Sequence, residues 1–71
     1  MRSDAKLPRV IGNKIRKRRK ELKVTQEGLA EKVRISRAYM GYIEQGRNSP
    51  SLEVLERIAK ALKTSLSELL K

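Results

Sequence analysis

The twelve residues RAYMGYIEQGRN, Arg37 to Asn48, hold two guanidinium groups, two phenols and two carboxamides. No nucleophile stands beside a base here or elsewhere. The chain has no Cys and no His, and it shows neither a paired-carboxylate pattern nor a glycine loop for phosphate. Disulfides, a thiol nucleophile and the usual zinc-ligand sets are excluded, and no enzyme activity, cofactor, metal or small-molecule ligand is expected. What these side chains can do is hydrogen-bond to an extended polar surface. Arg37 has the fork for a bidentate pair with guanine, Tyr42 can donate a hydrogen bond or lie against a thymine methyl, and Ala38 can also meet a methyl. Gln26, Arg47 and Asn48 suit phosphate oxygens, as do amides at helix N-termini. The chemistry is recognition rather than catalysis.

Such recognition needs the side chains on one rigid face. On a helical wheel Met40 and Ile43 point one way, while Ala38, Gly41, Tyr42 and Gln45 point roughly the other. Arg37 lies in the exposed first turn and Tyr39 at an edge, where it joins the backbone contacts with half-buried packing as its alternative role; Tyr42 has the same alternative. Ser36 is the expected N-cap of this helix and Gly46 its terminator. Gly41 inside it costs about 1 kcal/mol relative to Ala, which close approach of a ligand or a neighbouring helix would offset. Just upstream, Thr25 caps a helix running to about Val33 with Leu29, Ala30 and Val33 inward, its capping box incomplete because Gly28 stands where Glu is wanted. Between the two helices "RIS" leaves a turn of three or four residues, which is helix-turn-helix spacing. A major groove about 12 Å wide admits one helix of such a pair.

The remaining segments must hold that pair in place. Seventy-one residues make one small domain, and with no staple available the core must come from packed helices of Leu, Ile, Val and Ala. Residues 1–8 read as a flexible arm and residues 9–71 as the folded domain. Ile11, Ile15 and Leu22 recur at helical spacing in a first helix from Arg9 to Leu22, with Val10 beside them. After the caps and Pro50 of "RNSPS", a helix over about Ser51 to Leu62 sets Leu52, Leu55, Ile58, Ala59 and Leu62 on one face. Ser65 with Glu68 forms a capping box for a short last helix carrying Leu66, Leu69 and Leu70. No strand alternation or repeat is present, so the expected fold is all-α, a compact bundle of five helices.

Charge indicates the partner. Eighteen Lys and Arg against eight Asp and Glu leave a net of +10, and residues 1–50 carry 14 basic and 5 acidic side chains against 4 and 3 in residues 51–71. Such a surface attracts polyanions, with solubility alone as the bland alternative. "KIRKRRKELK", Lys14 to Lys23, holds seven basic residues and one acidic, a density that repels itself unless counter-charge lies nearby. No apolar run approaches the roughly 20 residues of a membrane span and no signal-peptide core follows the start, so a cytoplasmic protein is expected. A basic amphipathic helix on lipid is the weaker alternative, because the caps and the apolar face of the Ser51–Leu62 helix argue for a folded domain.

Taken in order, "IRKRRKEL", "TQEGLA", "YIEQG", "SPSLEVLERIAKAL" and "SLSELL" resemble the lambda-repressor-like DNA-binding domains, the Cro/CI type of helix-turn-helix also called the XRE family. The resemblance covers about residues 11–70 and runs through all five helices. It implies that Gln26 grips a phosphate, that Arg37, Ala38 and Tyr42 read bases, that Gln45 and Arg47 hold the backbone, and that Arg19 pairs with Glu44. Lys23 and Arg34 depart from the family pattern, standing where glycine is common at left-handed positions, and carry strain of order 1 kcal/mol if those turns are kept. The trio Arg37, Ala38 and Tyr42 matches no operator code that the resemblance supplies.

The expectation is a sequence-specific transcription regulator, a repressor or autoregulator, that binds a palindromic operator in double-stranded DNA as a homodimer. One domain reads only a few base pairs, whereas two at half-sites about 34 Å apart reach useful specificity. Leu66, Leu69 and Leu70, with nearby residues of the Ser51–Leu62 helix, are the candidate dimer patch, with intramolecular core as the alternative that claims at least one of them. A controller of a restriction-modification operon or an antitoxin-type autoregulator uses the same chemistry. A non-specific RNA-binding module is a different class, with "KIRKRRKELK" as main contact but few aromatic residues for stacking.

Overall fold

The computed structural model describes residues 7–71, which form five helices: α1 Leu7–Glu21, α2 Gln26–Val33, α3 Arg37–Glu44, α4 Leu52–Ala61 and α5 Leu66–Leu70. Of the arm expected over residues 1–8, the first six positions lie outside the described residues. Leu7 and Pro8 instead open α1, two residues ahead of the expected start. A proline fits the first turn of a helix, where its missing N–H has no intrahelical partner to lose.

The caps that the sequence offers are made. Thr25 Oγ1 accepts from the Gly28 amide at 2.9 Å, Ser36 Oγ from Tyr39 at 3.0 Å, and Ser51 and Ser65 Oγ from Val54 and Glu68, each at 3.1 Å. Each is worth about 1 kcal/mol. The box at α5 forms only in this half, because the Glu68 carboxylate accepts from Lys71 Nζ at 3.2 Å. At their C-termini α1 to α4 close with one and the same Schellman turn. After α3, Gly46 at φ 75 donates to Ile43 O at 3.0 Å and Arg47 to Tyr42 O at 2.9 Å. Lys23, Arg34 and Lys63 hold the equivalent left-handed positions at φ 58, 64 and 56. The two departures from glycine therefore leave the turns unchanged, and a third basic residue joins them.

The core consists of Ile11 and Ile15 of α1, Leu29, Ala30 and Val33 of α2, Met40 and Ile43 of α3, Leu55, Ile58 and Ala59 of α4, Leu62, and Leu69 of α5. α2 packs against α3 and α4, α1 against α3 and α5, and α4 against α5. Leu22 packs on this core while only partly buried. Leu52, the first residue of α4, departs from the expected inner face and is 62% exposed. α1 crosses α3 at backbone distance: a Cβ on Gly12 would lie 2.4 Å from the Ile43 carbonyl oxygen, and one on Gly46 2.8 Å from Arg9 Cα. No described helix is long and apolar enough to cross a membrane.

Candidate nucleic-acid interface

The α2–α3 pair is locked from both ends. At the turn, Ile35 donates its amide to Ala30 O at 3.0 Å and packs half-buried on the core, which brings Ser36 into position to cap α3. At the far end of α3, Glu44 is buried to 4% exposure in a chain dominated by cations. Arg19 of α1 grips it with a fork, Nε donating to Oε2 at 2.7 Å and Nη2 to Oε1 at 3.0 Å, while Nη1 donates to Val24 O at 3.0 Å. Gln26 Nε2 adds a third bond to Glu44 Oε1 at 3.2 Å. With side chains 11% and 3% exposed, neither charge tolerates loss of the other, and removing one partner costs about 3–5 kcal/mol.

The same contacts resolve the crowding of cations on α1. Arg18 donates from Nε to Leu62 O at 3.0 Å and from Nη2 to Lys63 O at 3.3 Å, so it covers the carbonyl end of α4. Lys14 Nζ donates to Glu68 O at 3.4 Å. Arg16 and Lys20, four residues apart, instead face the recognition side, where with Gln26, Gly41 and Gln45 they border a hollow of about 160 Å³ above Glu44. Sequence reasoning did not single these two out, although their i, i+4 spacing on a helix that buries Ile11 and Ile15 was the available signal. It also passed over Gly12, whose place between Ile11 and Asn13 in a helix-forming run was the clue to the close crossing.

Arg37, Ala38, Tyr42, Gln45, Arg47 and Asn48 are all exposed, and Gln26 is half-buried beside them. Together they form one continuous face from the start of α2 to the residues after α3. Tyr39 is half-buried and packed on the core, the packing role that stood beside its expected backbone contact. Gly41 lies under the Gln26 side chain, but a Cβ there would sit 3.6 Å from Gln26 Oε1, an ordinary contact. No described neighbour therefore requires glycine at this position, and the space above it is open to a ligand.

The three leucines of the expected dimer patch divide. Leu69 is 2% exposed and belongs to the core, because it is the α5 residue turned onto the rest of the bundle; it is withdrawn from the patch. Leu66 is partly buried on the same core. Leu70 is 41% exposed and borders an apolar groove of about 270 Å³ with Leu7, Pro8, Ile11, Pro50 and Leu55.

Residues 15–69 match the family model described as helix-turn-helix. The chain is 47% identical over 57 residues to the immunity repressor protein of Bacillus phage phi105, covering 80% of this chain and 40% of that repressor. It is 42% identical over 60 residues to the control protein C.MunI of Mycoplasma sp, covering 83% of this chain and 81% of that protein. The fold superposes on the DNA-binding domain of the P22 C2 repressor with a TM-score of 0.83 and 38% identity, over 86% of this chain and 80% of that one.

Proposed function

The chain belongs to the lambda-repressor-like, Cro/CI (XRE) branch of the helix-turn-helix family of DNA-binding transcription regulators, and from that premise we propose that it represses or autoregulates by binding a palindromic operator as a homodimer, with α3 in the major groove. This is a family of binding modules rather than enzymes. The observation that carries the reading is the outward face of α3 and its C-cap, where Arg37, Ala38, Tyr42 and Gln45 are exposed while Met40, Ile43 and Glu44 hold the helix down. Arg37 takes guanine, Ala38 and Tyr42 meet neighbouring base edges, and Gln26, Gln45, Arg47 and Asn48 hold phosphates. The exposed leucines Leu52 and Leu70 with Leu7 are offered as the contact between the two copies, in place of Leu69.

Selection from a random duplex library at two salt concentrations tests this. The expected product is an inverted repeat with half-sites about one helical turn apart, bound more weakly as salt rises because each phosphate contact releases counterion. Enrichment of no duplex sequence, or equal retention of single-stranded RNA, would refute it.

A narrower second reading is control of a restriction-modification operon. It is favoured by the likeness to C.MunI, which extends over 81% of that protein's length. Gene neighbours encoding a methyltransferase and an endonuclease are its expected companion, and their absence would remove it.

A further inference from the structure

In the sequence Arg47 reads only as a phosphate contact, yet the fold ties it to Tyr42, which the proposed function assigns to a base edge. Its guanidinium carbon lies 5.0 Å from the centroid of the Tyr42 ring. Its backbone amide makes the long bond of the α3 terminal turn to Tyr42 O at 2.9 Å, and its Nη1 donates to Gln45 Oε1 at 3.4 Å. The left-handed Gly46 is what swings the chain back so that residue 47 overlies the last turn of α3. Tyr42, Arg47 and Asn48 then border an open hollow of about 360 Å³ on the recognition side.

We propose that Arg47 is a specificity-determining positioning residue: stacked on Tyr42, it holds the phenol ring in the orientation with which α3 meets a base edge. The proposal rests on the DNA-reading function above and deepens it. Tyr42 is 42% exposed, so core packing does not hold its ring, and a free ring has to be ordered when a groove closes over it. A planar cation on its face supplies that order beforehand. A guanidinium held over the ring keeps the edge N–H groups other than the one bonded to Gln45 available for phosphate oxygens, which a compact ammonium cannot do as well. One residue thereby couples the backbone grip to the base read by Tyr42, and the two cease to be separable contributions.

The test uses the selected operator with each half-site position varied in turn. Tyr42→Ala identifies its base as the position whose preference disappears. Arg47→Lys, which keeps the charge, is expected to narrow the preference at that same position by roughly two- to five-fold while leaving the other positions unchanged. In a Tyr42→Ala background it should narrow nothing further. Arg47→Ala should narrow the same preference and also weaken every duplex. Unchanged preference in Arg47→Lys, or uniform weakening with unchanged preferences in Arg47→Ala, overturns the proposal. Without DNA, the Tyr42 ring proton resonances should move in Arg47→Ala, and resonances that stay in place overturn the stacking itself. A wild type with no base preference at all overturns the DNA-reading function and the specificity role together, and the ring resonances still report the stacking separately.

Discussion

Glu44 is an acid that a chain of net charge +10 keeps almost wholly buried, and its three hydrogen bonds explain why. Two come from Arg19 and one from Gln26, so a single carboxylate ties α1, α2 and α3 at the point where the recognition surface begins. This pair was legible only through resemblance, because two residues 25 apart share no helical period. Arg37 and Gly41 can be separated from that framework by substitution. Arg37→Ala removes an exposed side chain and should leave the melting curve unchanged. It should relax base choice at one position per half-site and cost roughly 1–3 kcal/mol of operator binding, read by titration against single-base operator variants. Gly41→Ala has room for its methyl against Gln26 and should stabilise the fold by up to about 1 kcal/mol in urea denaturation. In the proposed complex the same methyl faces the groove floor, so operator affinity should fall as stability rises.

The helices themselves were readable in their caps and apolar spacing, which is why Thr25, Ser36, Ser51 and Ser65 stand where local chemistry puts them. What local chemistry could not supply was how the helices cross. Gly12 became informative only where α1 meets the Ile43 carbonyl, and Leu52 shared the apolar face of α4 yet remains largely exposed at its first turn. The left-handed turns lie between these cases. Glycine is the usual residue there, yet Lys23, Arg34 and Lys63 keep the geometry, and each places a cation at a helix carboxyl end where the macrodipole favours it. The residual strain is of order 1 kcal/mol, so Lys23→Gly should raise stability by a fraction of that amount in thermal melts. A loss of stability would mean that the charge at the end of α1 outweighs the backbone strain.

As a whole the molecule separates two surfaces. Polar and cationic groups collect along α3 and the start of α2, while an apolar groove opens between the first turn of α1, the approach to α4 and the end of α5. Leu70→Glu with Leu52→Glu changes only exposed side chains, so the monomer should fold as before. Sedimentation should show loss of the proposed dimer relative to the unsubstituted chain, and operator binding should shift from one cooperative step to two weak ones. The distribution of charge was legible in residues 1–50, but which cations were free was not, since Arg18, Arg19 and Lys14 turned out to bond protein groups. The most direct test of the face on which everything above depends is an amide chemical-shift titration with the selected duplex. The largest changes should fall on residues 36–48 and Gln26, with α5 nearly silent; the largest changes on α4 and α5, with α3 unmoved, would contradict it.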